Sequence, residues 1–414
     1  MTLREYFLER YAISTTIYLI LAFTFAAFFV RDLLQITRYS IPIENGLVLM
    51  FLFAFYAVGF RYFRPKVILG QSGIDYLIIF WLILMGAAVL IGILRGGNLL
   101  YVAAYTAYSL SFLAMYFLTK NIPLVEICWP CIGYREIGVL LLSYFVFSSD
   151  TSVTFLVLAM FFLVAINGAT RKLKLASVLG LLGALGGFSF SVNLTRATLL
   201  SFLVFIFIYF LMKKKYLPIF IFILGSGAVV FGAQFINADH LNLSRNIREG
   251  LLILQGDPIS YHPSTYQRIW EAEHVNKLVN DLSGIERFLG YGFGKTVDMS
   301  GALAASEVMR NAFGGESKSS LLSDEVHNIH FLHSAFLLRH GYLGVLTLAA
   351  LVAVYLRALF FSLISKKCPS NLYIFAVSIG LGQLAYGWPA SNFFFANPIV
   401  MLSLGIIAQR GRAR

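Results

Sequence analysis

The sequence predicts an all-α polytopic integral membrane protein with about twelve transmembrane helices. Hydrophobic residues make up 59 % of the 414 residues and charged residues only 13 %, about half the charged share of a soluble domain. The apolar segments are apolar all round and roughly 17–25 residues long, which is helix length for a bilayer. The strands of a membrane barrel would instead alternate polar and apolar residues. This composition excludes a soluble enzyme, a disordered scaffold and a fibrous protein.

Charge is distributed unevenly along the chain, and this distribution predicts the topology. The net charge is +12, but residues 237–330 hold 8 Lys/Arg and 12 Asp/Glu, a net charge of −4, so the remainder carries +16. Short basic loops are typically cytoplasmic, so the long acidic segment is predicted to lie on the outer side. A nucleic-acid partner is not expected, because no soluble basic face with interleaved aromatic residues is present.

Six spans are predicted in the first part of the chain, each an apolar run bounded by charge. Basic residues near the amino terminus place it in the cytoplasm, and the first run is too long for a cleavable signal peptide. Basic residues at 61–66 and Lys120 mark cytoplasmic turns, and Arg95-Gly96-Gly97 marks an outer turn. These spans are about 11–30, 43–60, 74–94, 99–118, 122–147 and 153–168.

Six further spans follow, with basic clusters again on the predicted cytoplasmic side. These clusters include the carboxyl-terminal tail, so both termini are predicted to be cytoplasmic. The spans are about 175–193, 197–212, 217–236, from 333–341 to 364, 371–388 and 392–408. The chain therefore divides into spans one to nine (1–236), one large, partly helical outer loop (237–330) and spans ten to twelve (331–414).

The fifth predicted span contains residues whose role stays open. Cys128 and Cys131 have redox-motif spacing, but no second pair accompanies them, so two packing cysteines are the simpler interpretation. Arg135 and Glu136, and separately Asp75 in the third span, could belong to a proton path. Neither set has an evident chain of partners in the sequence, so transport chemistry is not favoured there.

Histidines concentrate around the outer loop, which also has helical patterning across about 264–279. All seven lie between 240 and 340, and His327, His330, His333 and His340 fall within fourteen residues. Histidine is the usual general acid or base near neutral pH. In a helix, His327, His330 and His333 would lie on one broad side. The alternative is that interfacial histidines merely suit a membrane boundary.

A metal site is the rival interpretation of the histidine cluster. Two histidines at helical spacing can bind zinc, and Asp324 and Glu325 lie nearby. No HExxH pattern is present, however, and no metal is predicted.

Arginines on the predicted outer side form a second signal. Arg196 begins the eighth span, Arg268 lies in the loop, and Arg245 and Arg248 follow the ninth span. Guanidinium groups bind phosphate oxygens in bidentate fashion, so these positions suggest a phosphate-bearing lipid ligand. Structural salt bridges or contacts with lipid headgroups are the alternative for each. The glycine-rich run at 289–294 is interpreted as a turn, because no Walker lysine follows it.

Three patches carry a resemblance to a known family. Thr-Arg-Ala-Thr-Leu-Leu at 195–200 is similar to the pattern Ser-Arg-small-x-x-Leu at the outer start of a helix. Arg268 and Trp270 precede a Gly-x-Gly series at 288–294. Gly341 and Gly344 follow His330 at +11 and +14. In order and spacing, these patches resemble the O-antigen ligase and O-antigen polymerase superfamily of bacterial membrane glycosyltransferases.

The resemblance covers roughly 190–345 and departs from the family pattern at one position. The family's asparagine after the histidine is Phe331 here, while His327-Asn328 stands three residues earlier. The key histidine is therefore His330, His327 or His333.

The resemblance implies a metal-independent inverting glycosyltransferase of the bacterial inner membrane, with the loop and active site facing the periplasm. The donor would be a glycan on undecaprenyl pyrophosphate, and the acceptor a hydroxyl of lipid A-core or of another lipid-linked glycan. Arg196 and Arg268 would hold the pyrophosphate, and His330 would orient or deprotonate the acceptor hydroxyl. No cofactor is implied.

Twelve spans and one large loop favour the ligase, which attaches O-antigen in lipopolysaccharide biosynthesis, over the polymerase, which joins repeat units. A transporter or flippase for lipid-linked sugars is a further alternative, although it would not require a folded loop with a histidine cluster. The last alternative is a structural partner in an envelope assembly complex. It would tolerate single substitutions at His330 and Arg196.

Overall fold

The computed structural model describes part of the chain. The described residues are 72–121, 134, 137–138, 140–141, 151–190, 196–233, 251–252, 255–256, 263–298, 325–326, 329–365, 369–388 and 398–411. The first two predicted spans and most of the fifth lie outside them. So do the predicted residues Arg245, Arg248, His327, Asp324, Cys128, Cys131, Arg135 and Glu136.

The described chain is predominantly helical. Its longer elements before the large loop are α1 Gly73–Leu94, α2 Leu99–Asn121, α3 Thr151–Asn167, α4 Arg171–Phe190, α5 Arg196–Met212 and α6 Tyr216–Ala233. Within and after that loop come α7 Pro263–Asn280, α8 Gly284–Leu289, β1 Val297–Asp298, β2 Glu325–Val326, α9 Leu332–Ile364, α10 Asn371–Gly387 and α11 Pro398–Gly411. The two short strands pair in antiparallel fashion, with Val297 opposite Val326.

Most predicted spans within the described residues are helices with bounds within a few residues of those expected. The loop helix predicted over about 264–279 is α7, and Pro263 at its start suits a first helical position because proline lacks the N–H that would be unpaired there. The last predicted span corresponds to α11, and its predicted start near 392 lies outside the described residues. The strand pair within the loop was not predicted, since two residues are too few to give a periodic signal.

Local chemistry sets the beginning of α1 and α10. The Ser72 hydroxyl accepts the Asp75 backbone N–H, and the Asp75 carboxylate accepts the Ser72 N–H at 2.9 Å, which together form a capping box. Ser370 caps α10 by accepting the Tyr373 N–H at 3.2 Å.

Two described helices, α1 and α9, are long and apolar enough to cross a membrane, and an 18-residue stretch of each has a mean hydropathy of 2.9 and 2.1, respectively. Both also direct large apolar side chains outward. Ile83 is 64 % exposed on α1, and Leu346 and Phe360 are 62 % and 60 % exposed on α9. Exposed apolar surface of this kind marks contact with lipid or another apolar partner, and together with the length and hydropathy of α1 and α9 it indicates association with a membrane.

Lysines gather at one end of the bundle, which we name the lysine end. Lys120 of α2 pairs with Asp75 of α1. After α5, the Lys213 ammonium donates to Asn371 Oδ1 at the start of α10. Lys214 donates to the carbonyl of Ser365 just after α9. The start of α1 and α10 and the end of α2, α5 and α9 therefore lie at this end.

The opposite end carries the described part of the large loop, and we name it the loop end. The Leu332 N–H at the start of α9 donates to the Trp388 carbonyl just after α10, at 3.0 Å. The Asn98 N–H, just before α2, donates to Gly294 O in the loop at 3.1 Å. The end of α1 and α10 and the start of α2 and α9 therefore meet there.

A kink interrupts α9 near the loop end. Gly341 has φ 59° and ψ −155°, although helical residues continue on both sides. A side chain is disfavoured at this φ, and a Cβ at Gly341 would also overlap the Arg287 carbonyl of α8. The kink thus creates the space in which α8 packs against α9.

Candidate functional site

His330 and Glu271 form the centre of the candidate site. The His330 Nδ1 lies 2.9 Å from Glu271 Oε2 and 3.0 Å from Oε1. The backbone N–H of His330 also donates to Oε2, at 3.0 Å. One carboxylate of α7 therefore fixes both the ring and the backbone of a residue 59 positions further along the chain.

The two partners differ in their access to solvent. The Glu271 side chain is fully buried, whereas the His330 side chain is 25 % exposed. A buried carboxylate is costly unless it is paired and hydrogen-bonded, and His330 supplies both a charge-compatible partner and a backbone donor. The accessible group of the pair is the imidazole.

His330 and His333 do not share one helical face, because only His333 belongs to a helix. Phe331 is the N-cap of α9, with extended φ −77° and ψ 129°, so the helix begins only at Leu332. His330 precedes the helix and turns toward α7. His333 lies in the first turn and packs its ring 5.5 Å from Phe331 and 5.7 Å from Trp388. His327, the third candidate, is outside the described residues.

Arg268 lies on the same helix as the partner of His330. It is half-buried and three residues before Glu271 in α7, and residues at this spacing project from the same side of a helix. On another side of α7, Trp270 and His274 stack at 4.6 Å, one turn apart. The structure therefore places Arg268 within about one helical turn of the Glu271–His330 pair.

Arg196 is the first residue of α5, and its backbone lies at the loop end. Helices α5 and α10 run antiparallel. Lys213, just after the end of α5, contacts Asn371 at the start of α10. Earlier in α5, the Ser201 carbonyl lies close to Gly382, near the end of α10. Continuing this register brings the backbone of Arg196 level with the end of α10. His333 packs on the Trp388 ring, so the start of α5 and the start of α9 share this end of the bundle.

The glycine-rich run is a turn, as predicted, and it anchors the loop to the bundle. The N–H groups of Tyr291 and Gly292 donate to the carbonyls of Leu338 and Arg339 in α9, at 2.8 and 3.1 Å. The next N–H, of Phe293, donates to Ala88 in α1 at 2.9 Å. The run therefore joins α1 and α9 through backbone hydrogen bonds.

Glycine is required in this run for two reasons. Gly290, Gly292 and Gly294 have φ of 72°, 79° and 86°, which side chains disfavour. A Cβ at Gly294 would also lie 2.8 Å from the Asn98 carbonyl and 2.7 Å from the Val102 side chain. The spacing recognised in the sequence thus reflects close backbone packing of the loop, which sets the position of α7 and α8 indirectly.

Charged and aromatic groups surround Tyr291 at the surface of this run. The Arg95 guanidinium is 2.7 Å from the Glu286 carboxylate and 5.1 Å from the centre of the Tyr291 ring, with the Lys295 ammonium at 5.3 Å from the same ring. Burial raises the pKa of the Tyr291 hydroxyl, and Arg95 opposes that rise. These contacts bind the loop to the turn between α1 and α2.

A buried cationic residue, Arg339, was not identified from the sequence. It is 4 % exposed, and its guanidinium lies 3.9 Å from the centre of the Tyr105 ring. Its neighbour His340 is 2 % exposed and packs edge-on against Phe293 at 5.4 Å. A charge within an apolar span was itself an available signal, because such residues are costly and usually have a specific role.

Asp75 has structural partners that the sequence does not make evident. Asp75 and Lys120 are both buried and form an ion pair, and the Tyr116 hydroxyl donates to Asp75 Oδ1 at 2.7 Å. The pair joins the start of α1 to the end of α2. These contacts account for the buried carboxylate without a transport role.

Glu271 is the main functional candidate that sequence reasoning missed. It directly follows Arg268-Ile269-Trp270, but no short-range spacing links it to His330. Within the residues that the structure describes, no group of three His, Cys, Asp or Glu side chains could hold a metal ion.

Comparisons with protein-family models, with curated proteins and with solved structures give no match for this chain.

Proposed function

We propose that this chain is a membrane glycosyltransferase that moves a glycan from undecaprenyl pyrophosphate to a sugar hydroxyl. In its most specific form, the proposal is an O-antigen ligase that attaches O-antigen to lipid A-core. The observation that carries it is the contact between His330 and α7, the helix that also bears Arg268. A candidate base and a candidate phosphate-binding group are thereby brought to one place.

The chemistry requires one proton transfer and one leaving group. The acceptor oxygen attacks the anomeric carbon as the bond from that carbon to the pyrophosphate oxygen breaks. The acceptor proton passes to His330, and undecaprenyl pyrophosphate departs with the bonding electron pair. Attack from the side opposite the leaving group inverts the anomeric centre.

Each residue has a distinct role in this proposal. Arg268 binds the pyrophosphate and stabilises the charge that it gains during bond cleavage, and Arg196 at the start of α5 is proposed to share this role. A positioned side-chain base contributes about 10²–10⁴-fold in rate. The arginines supply the positive charge, so the proposed reaction uses no metal ion and no nucleotide.

The proposed setting is the bacterial inner membrane, with twelve spans, both termini in the cytoplasm and the site facing the periplasm. The contacts between helix ends support this arrangement. Lys120, Lys213 and Lys214 all lie at the lysine end, which is proposed to be cytoplasmic because short basic loops are retained there. The loop end, which carries His330, is then periplasmic.

A reconstituted transfer reaction tests the proposal. Purified protein in detergent is given undecaprenyl-pyrophosphate-linked glycan and lipid A-core, with EDTA and without nucleotide. Glycan on lipid A-core supports the ligase, and longer lipid-linked chains support the polymerase in its place. The proposal is contradicted if folded protein gives no product of either kind. A flippase is then supported if the protein moves the lipid-linked glycan across the membrane of proteoliposomes.

A further inference from the structure

We propose that Glu271 is a positioning residue that fixes the protonation pattern of the His330 ring, so that Nε2 is the atom that accepts the proton. This inference rests on the proposed function, because it assigns the working atom of the base. It starts from the three hydrogen bonds between Glu271 and His330.

The geometry determines which ring nitrogen carries hydrogen. Nδ1 faces both oxygens of Glu271, at 2.9 and 3.0 Å. A carboxylate offers only acceptors, so Nδ1 must be the donor, in the neutral ring and in the imidazolium alike. In the neutral ring the other nitrogen, Nε2, then carries the free lone pair. Fixing the tautomer through a partner on the opposite nitrogen is how a histidine base is oriented in other enzymes.

The difference in burial between Glu271 and His330 assigns them different roles. Glu271 has no exposed side-chain surface, while a quarter of the His330 side chain is exposed. An acceptor hydroxyl at the surface can therefore reach the imidazole but not the carboxylate. Glu271 acts through His330 rather than on the substrate.

The third hydrogen bond extends this role to the main chain. Glu271 Oε2 also accepts the His330 backbone N–H at 3.0 Å, which holds the segment just before α9 against α7. Because Arg268 lies one turn earlier on α7, the same carboxylate sets the distance between the base and the proposed pyrophosphate-binding group.

Two measurements on full-length protein test the inference. The first is ¹⁵N NMR of histidine-labelled protein with a neutral ring, in which the signals lost in His330→Asn identify His330. The second is transfer kinetics of Glu271→Gln. The matched control is Glu273→Gln, an exposed glutamate two residues further along α7.

We expect wild-type His330 to be protonated at Nδ1 and unprotonated at Nε2. In Glu271→Gln the side-chain amide can donate to Nδ1, so the proton moves to Nε2 and kcat falls about 10²–10⁴-fold with a smaller change in KM. Glu273→Gln should leave both the tautomer and kcat unchanged.

Wild-type His330 protonated at Nε2 would overturn the inference, and this result does not depend on whether Glu271→Gln folds. So would an unchanged kcat in Glu271→Gln. If the wild type transfers no glycan to either acceptor, the proposed function fails separately, and the tautomer spectra alone decide whether Glu271 positions the ring.

Discussion

The imidazole Nδ1 of His330 lies 2.9 Å from the buried carboxylate of Glu271. This contact joins the segment before α9 to α7, the folded helix of the large loop. It creates a site between elements that are far apart in the chain. Because Arg268 occupies the same helix, the contact also brings the proposed base close to the proposed phosphate-binding residue.

Replacing Arg268 tests the proposed phosphate contact. Arg268→Ala should reduce the initial transfer rate about 10²–10³-fold, the usual loss when one donor to a developing negative charge is removed. Arg268→Lys should recover only part of this rate, since lysine lacks the bidentate geometry. Lys277→Ala, an exposed position on the same helix, is the control and should retain full activity. An Arg268→Ala protein with the wild-type rate would exclude this role.

Gly341→Ala should destabilise the loop end. The residue has φ 59°, and an added Cβ would overlap backbone atoms of Arg287 and Phe288, so strain of about 1–3 kcal/mol or more is expected. Gly225→Ala on α6 is the control, because a Cβ there meets nothing within 4 Å and alanine favours a helix by about 0.5–1 kcal/mol. The temperature of thermal unfolding should therefore be lower than wild type for Gly341→Ala and slightly higher for Gly225→Ala. Shifts of the same sign would contradict the described kink.

The Asp75–Lys120 ion pair should show strong coupling in a double-mutant cycle. Asp75→Asn or Lys120→Met alone leaves one buried charge uncompensated and should cost about 3–5 kcal/mol. The double variant should recover much of that loss, because neither charge remains. The measurement is the unfolding midpoint in detergent for all four proteins. Additive losses would mean that the two side chains do not interact.

Labelling of introduced cysteines tests the sidedness of the bundle. In a background without Cys128, Cys131 and Cys368, a membrane-impermeant maleimide added outside the inner membrane should label Lys277→Cys. It should not label Lys172→Cys until the membrane is permeabilised. Both positions are exposed in the structure, so accessibility differs only through the membrane. The reverse pattern would place the site in the cytoplasm and contradict the proposed lipid-linked donor.

Elements governed by local pattern could be predicted from the sequence. Runs such as 73–94 and 371–387 are apolar over helical lengths and bounded by polar or charged residues, and α7 has helical patterning within the loop. These signals act over a few turns of chain. The lysine-rich turns give a prediction of sidedness for the same reason, since short basic loops follow a simple rule of membrane insertion, and that sidedness stays a prediction.

The centre of the site could not be predicted, because it depends on contacts between distant residues. His330 was identified by type and by resemblance, but nothing in the sequence joins it to Glu271. The extended residue Phe331 precedes α9, which begins only at Leu332, so His330 lies outside the helix that a helical histidine face would require. The kink in α9 at Gly341 also depends on the packing of α8 against α9. No pattern in the nearby sequence predicts that contact.

Transfer by wild type and by His330→Asn tests the central claim most directly. Asparagine can still donate to Glu271, which avoids the unpaired buried carboxylate that His330→Ala would leave, but it cannot act as a base. With EDTA present and nucleotide absent, we expect the wild type to transfer glycan from undecaprenyl pyrophosphate to lipid A-core, and His330→Asn to be about 10²–10⁴-fold slower. Equal rates for the two proteins, or no product from folded wild type with either acceptor, would contradict the account.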